Sequence, residues 1–320
     1  MAPNDSQTDP AEITYVVFAS VNIAVSAACM LMNVFFVFCM VFPQQGTERL
    51  KQPLNVLLGS LVGSNIALHV FTLLSVVSDF MSSSNSLVYD VGTAVMLFTM
   101  RTSITSILWL NVFYYCQIVP AQHPFFIWLK KNIKVFIYSA LIMDRMFFLY
   151  GFTVAVAYLV KQFESSTDKN TAFINNTTDP YMDVMFKTLL LDFWLRLIYF
   201  LLSLCVMLAS SCATVLYLRR HMKSMQDSNS SFSFHLQKQM RVTMTGIIQA
   251  LLYFFCSASM VANEILSFVI PPQYKLHEHI LCTIILLYSF GTAVNMSIGQ
   301  SIFRQRAINV WENILSFLLD

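Results

Sequence analysis

SILWLNVFYYCQIVPAQHPFFIWLKK, residues Ser106–Lys131, is the stretch that decides how the chain is read. Its first half is apolar and aromatic and carries no charge. Its second half breaks at Pro120, turns through Gln122-His123-Pro124 and resumes as an aromatic run ending in Lys130-Lys131. That order predicts a membrane helix leaving the bilayer, then a short amphipathic loop at the interface, then a basic stop.

Composition carries the same message over all 320 residues. The chain is 57% hydrophobic and 11% charged, against about 25% charged in an ordinary soluble domain. So few charges could not cover a soluble surface, which predicts a multi-span membrane protein. The net charge of +2 says little; its placement says more. The cysteines are Cys29, Cys39, Cys116, Cys205, Cys212, Cys256 and Cys282, all in apolar stretches, so no extracellular disulfide framework is expected. They read as small, soft apolar side chains.

A spanning helix needs about 20 apolar residues. Seven stretches qualify: Ile13–Phe42, Pro53–Phe80, Leu87–Val119, Asn132–Val160, Val184–Leu218, Val242–Ile270 and His277–Ile302. Residues 1–12 are polar and acidic, and lack the basic start of a signal peptide. Three parts follow: an outer N-terminus over 1–12, a seven-span domain over 13–302, and a tail over 303–320. In the tail, Ile308, Trp311, Leu315 and Leu318 are spaced for a short amphipathic helix on the inner membrane surface. Arg219–Gln239 reads as the longest inward loop.

Orientation follows from Lys and Arg. One set of loops holds Arg49, Lys51, Lys130, Lys131, Lys134, Arg219, Arg220, Lys223, Lys238, Arg241, Arg304 and Arg306. The other holds Lys161, Lys169, Lys187 and Lys275. The richer set belongs in the cytoplasm, which puts the N-terminus outside and the C-terminus inside. Overlapping glycosylation sequons at Asn175 and Asn176 then fall on the outer side. Seven spans with an outside N-terminus predict an all-α, seven-transmembrane bundle, by analogy of topology one of the G-protein-coupled receptor type.

Local wording narrows the choice. The pattern FYxLKIAxFSxPxFLWLKxxI is met in step by Phe113-Tyr114, Ile118, His123-Pro124-Phe125, Trp128-Leu129-Lys130 and Ile133. Leu216–Gln226 is close to LxxSLxxHxxxMQ, His235 and Arg241 keep a six-residue spacing, and Gly299-Gln300-Ser301 resembles Gly-Asn-Ser. With Asn33-Val34-Phe35 in the first span, these segments resemble the type 2 (bitter) taste receptors. The second span departs from that pattern, with Asn65 where an Arg is usual. The seventh departs too, with Thr292-Ala293-Val294-Asn295-Met296 in place of His-Pro/Ser-Phe-Ile-Leu. The Asp-Arg-Tyr, Trp-x-Pro and Asn-Pro-x-x-Tyr signatures of rhodopsin-like receptors are absent from the sequence.

The resemblance implies a receptor for small organic, bitter-type compounds and a heterotrimeric G protein of the gustducin/inhibitory class. It implies plasma-membrane lipid as the surroundings, allows a receptor oligomer, and calls for no cofactor, metal or nucleic acid. It also implies G-protein contact at Tyr114, Gln117, Lys130, His221, Lys223, Arg241 and Arg304, residues that double as ordinary positive-inside anchors. A vomeronasal type 1-like receptor and a small-solute transporter are the alternatives. The transporter is disfavoured by the lack of internal repeats, and no Gly-x-Ser-x-Gly or metal-spaced cluster points to an enzyme.

Ionisable residues inside spans are costly and point to function. Arg101, Asp192, Arg196 and Glu264 fall in the outer half of the bundle. Asp192 and Arg196, at i,i+4, share a helix face and can pair. Met96, Met100, Tyr253, Cys282 and Tyr288 are expected as walls around them, giving an apolar pocket with a few polar groups. Asp144 and Arg145, adjacent in the fourth span, cannot face each other and are expected to bond to other helices.

Overall fold

The computed structural model describes residues 10–42, 52–81, 86–120, 123–168, 180–224, 230–269 and 276–319. They form α1 Pro10–Val41, α2 Leu54–Met81, α3 Ser86–Ile118, α4 Pro124–Lys131, α5 Ile133–Asp168, α6 Pro180–Ser224, α7 Ser230–Val269, α8 Leu276–Gly299 and α9 Ser301–Leu319. Among the described residues, seven helices are long and apolar enough to cross a membrane, all but α4 and α9. Residues 1–9 and the sequons at Asn175 and Asn176 lie outside the described residues.

The span centres match the apolar runs, but several helices outlast them. The segment Arg219–Gln239, expected as a loop, is largely helical: α6 runs on to Ser224 and α7 starts at Ser230. No Pro or Gly interrupts those flanks, and charged residues such as Arg and Lys propagate a helix well. Hydropathy therefore marks where the lipid ends, not where the helix ends. Similarly α8 stops at Gly299, and Ile302 belongs to α9.

The interfacial segment after α3 is a helix rather than a loop. Pro124 sits at its first position, where a missing N–H costs nothing. His123 caps it, its Nδ1 accepting from the Phe125 N–H at 3.3 Å. Leu129 is buried beside Val112 and Cys116, while Phe125, Ile127 and Trp128 are exposed. An aromatic outer face above Lys130-Lys131 suits the headgroup layer.

The helix α3 is the centre of the bundle, touching α2, α4, α5, α6, α7 and α8. Its most apolar stretch is 56% buried in protein, against 17% for that of α5, which lies at the periphery. Large apolar side chains such as Leu31 and Met143 point outward at 74% and 70% exposure, as lipid-facing residues should. Hydroxyls in α3 stay satisfied by bonding back along the helix: Thr99 to Met96 O, Thr102 to Thr99 O, Thr105 to Thr102 O.

Two polar staples hold α5 to this core. The Trp109 indole N–H donates to Asp144 Oδ2 at 2.7 Å. Arg145 Nη2 donates to Ser60 and Ser106 Oγ at 2.5 and 3.2 Å. The adjacent acid and base thus bond to neighbouring helices, as their separation of about 100° requires. The tail helix α9 is pinned by Phe303, buried against Phe36 with ring centroids 4.5 Å apart. Ile308, Trp311 and Leu315 are exposed on it.

Candidate functional site

Two polar constellations stand at opposite ends of the bundle, both between α3 and α7. The end carrying Lys130, Arg219 and Arg304 is the basic end.

At the far end, Arg196 and Asp192 share one face of α6, and Arg196 Nε meets Asp192 Oδ2 at 2.8 Å. Arg196 Nη1 also binds Glu264 Oε1 on α7. The same oxygen faces Arg101 Nη2 on α3 at 3.6 Å. Two acids and two bases thus tie three helices into one neutral network. Asp192 is buried against α5 because residue 151 there is Gly; a Cβ at that position would lie 2.6 Å from Asp192 Oδ1.

A cavity with about 510 Å³ of empty space opens beside this network. Arg101, Arg196 and Glu264 supply its polar wall. Ile104, Phe148, Phe193 and Met260 supply apolar walls, and Tyr253 lies at its base, bonded to Ser203 Oγ at 2.5 Å. Of the expected pocket residues, Arg101, Arg196, Glu264 and Tyr253 line it, with Asp192 directly behind Arg196.

Met96, Met100, Cys282 and Tyr288 lie elsewhere, buried in the main apolar core, where Met96 Sδ meets Cys282 Sγ at 3.7 Å. Helix geometry explains this. One residue is a turn of about 100°, so a face of α3 that gives Arg101 and Ile104 to the cavity turns Met100 away. Ser257, Met260 and Val261 were missed, although they precede Glu264 by one and two turns. Phe148 and Tyr199 also line the cavity; nothing in their local sequence marks them.

At the basic end, α3, α7 and α8 line a smaller pocket with about 400 Å³ of open space. Asn295 Nδ2 donates to Thr245 O at 2.8 Å and to Gln249 Oε1 at 3.1 Å. Gln249 Nε2 donates to Thr292 Oγ1 at 2.8 Å, and Gln300 Nε2 to Tyr114 Oη at 2.7 Å. The helices approach closely because residue 246 is Gly, where a Cβ would come 2.8 Å from Asn111 Oδ1.

The family profile described as taste receptor protein (TAS2R) matches residues 11–314, nearly the whole chain. The chain belongs to that family. It is therefore a chemosensory receptor with a G-protein-coupled-receptor-like bundle, a multi-pass protein of the plasma membrane. Comparison with curated protein sequences finds no match.

Within the family pattern, both departures noted in the sequence sit in polar contacts. Asn65, where an Arg is usual, accepts from Ser103 Oγ at 3.0 Å. Thr292 and Asn295, in place of the usual His-containing motif, build the Gln249 network. Of the residues with expected G-protein contact, Gln117, Lys130, Lys223 and Arg241 are exposed at the basic end. His221 packs edge-on to Tyr217, and Arg304 donates to Ile298 O at the end of α8. Tyr114 is partly buried and engaged by Gln300.

Proposed function

We propose that small organic compounds of the bitter type bind in the far-end cavity, and that the basic end engages a heterotrimeric G protein of the gustducin/inhibitory class. The observation that carries this reading is the ion network. Charges that deep among membrane helices are costly unless paired, and here the pairs form one wall of an otherwise apolar cavity. A ligand with an apolar body and one polar group would sit against Ile104 and Met260 and compete for the guanidinium of Arg101. In this reading the basic end faces the cytoplasm, by the bias of Lys and Arg, and the N-terminus is outside. Asn175 and Asn176 would then carry glycans, which a gel-mobility shift on enzymatic deglycosylation detects.

Glu264 is shared by two guanidinium groups, so a cationic ligand would find it already occupied. Glu264→Gln nevertheless leaves the wall one unit more positive. Ligand-evoked calcium release, in cells given a chimeric G protein, tests this with a panel of alkaloids and steroids. Cationic agonists are expected to lose more potency than neutral ones. Equal losses for both would refute a charge-sensitive pocket here, and vesicle flux of the same compounds would favour a carrier instead.

A further inference from the structure

A separate groove, with about 1140 Å³ of open space, runs down the flank of the bundle at its basic end, between α3, α4 and α6. Its floor is apolar, formed by residues such as Val119, Ala213 and Leu216. It opens sideways, since Leu216 is 54% exposed on a membrane-spanning helix. Its rim is polar and basic, with His123, Tyr217 and Arg220. The Phe125 N–H occupies His123 Nδ1, so the neutral ring carries its proton on Nε2 as a donor. Among the described residues, no Asp or Glu lines the groove.

Three facts select the occupant. First, the depth is fixed: α3 ends at Ile118, and α4 lays exposed Phe125 and Trp128 beside Lys130-Lys131, the pattern of a membrane–water boundary. The floor therefore faces acyl chains and the rim faces headgroups. Second, the rim offers donors and positive charge without a balancing acid, which fits a phosphate. Third, no described Cα of α4 lies within 8 Å of one on α6 across the groove, although each helix packs on α3 and α5. A peptide there would leave backbone N–H and C=O groups unpaired against an apolar floor, and a neutral sterol would offer Arg220 no counter-charge.

We propose that this groove holds one acidic glycerophospholipid of the adjoining leaflet. Its phosphate is met by Arg220 and His123, an acyl chain runs along Val119 and Leu216, and the lipid bridges α4 to α6. The site does not depend on what binds in the far-end cavity, so the calcium assay and the experiment below fail separately.

The test uses the full chain in nanodiscs of phosphatidylcholine with added phosphatidylserine and cholesterol, with native mass spectrometry of the lipid retained on release. One retained phosphatidylserine is expected. Arg220→Gln should lower its retention about fivefold, from the roughly 1 kcal/mol that a basic residue gains near an acidic lipid. Ala213→Phe should also lower it by filling the floor without changing charge. Arg219→Gln removes the same charge one residue away and outside the groove lining, and should leave retention unchanged. The proposal is overturned if Arg219→Gln matches Arg220→Gln, if a folded Ala213→Phe retains the lipid fully, or if the retained molecule is phosphatidylcholine or the sterol. The arginine pair decides the matter even where Ala213→Phe does not fold.

Discussion

Replacing Glu264 by Gln separates a working ion network from charges that happen to lie close. Glu264 neutralises Arg101 and Arg196 together, and Asp192 reaches only Arg196. At 3.6 Å, the Arg101–Glu264 attraction alone is about 4 to 5 kcal/mol at an effective dielectric near 20. Desolvation offsets much of that in the intact pair. The loss on breaking it is about 3 to 5 kcal/mol, because a buried cation is left uncompensated. The Glu264 side chain is 27% exposed, which places it at the lower end, about 3 kcal/mol. At roughly 2 °C per kcal/mol for a chain of this size, the unfolding temperature should fall by about 6 °C. Arg101→Gln alone should cost less, about 1 to 3 kcal/mol, because Glu264 keeps Arg196 as its partner. The double variant removes one charge of each sign and leaves Asp192–Arg196 intact. It should regain about half of the summed loss, a coupling of about 2 to 3 kcal/mol. A thiol-reactive fluorophore gives the readout above a baseline from exposed Cys205 and Cys212, because Cys29, Cys39, Cys116, Cys256 and Cys282 are buried and free and become reactive on unfolding. If the double variant loses the full sum of the two singles, the pair is uncoupled and the network argument fails.

Other perturbations probe the remaining contacts. Trp109→Phe removes the donor to half-buried Asp144 and should cost about 1.5 to 3 kcal/mol in the same unfolding assay, the range for losing a hydrogen bond to a charged group. Gly246→Val places carbon where Asn111 Oδ1 would lie 2.8 Å from it, and should destabilise by about 1 to 3 kcal/mol through overpacking. Asn295→Ala breaks the bonds to Thr245 O and Gln249 Oε1 and should raise agonist-independent calcium release severalfold; unchanged basal signalling would exclude the network as a restraint.

How much of this was legible in the sequence depends on the kind of signal. The seven spans were, because apolar runs of that length with so few charges seldom occur outside a bilayer. The helical flanks of α6 and α7 were not, since hydropathy falls at Arg219 while the backbone continues regardless. The eight residues of α4 are too few for a periodic pattern to emerge, though Pro124 after His123 marked its start. In the cavity, Arg101, Arg196, Asp192 and Glu264 stood out because charge inside a span is rare. Counting back from Glu264 in steps of three, four and seven would have added Val261, Met260 and Ser257. Phe148 could not be found that way. It reaches the cavity because α5 is held against α3 by Trp109–Asp144, Arg145–Ser106 and the packing of Ile137 and Leu141 on Phe113.

Both constellations are carried by the same helix, and that constrains how a signal could pass. Gln249 and Glu264 are 15 positions apart on α7, about 22 Å along its axis. No Pro interrupts α7 between Ser230 and Val269, so it has no built-in kink at which motion at one end could be absorbed. A ligand that drew Arg101 away from Glu264 would release the far end of α7 from α3. The helix would then move as a rod, with the tight contact at Gly246 as its pivot. Any tilt about that point strains the bonds from Asn295 to Thr245 and Gln249, and that from Gln249 to Thr292. These three bonds are worth about 1 kcal/mol each, a restraint of a few kcal/mol. A ligand can shift such an equilibrium only by its difference in affinity for the two arrangements. A gap of that size is one that a small molecule can close, whereas a disulfide or a second buried ion pair at the basic end would be too stiff to yield.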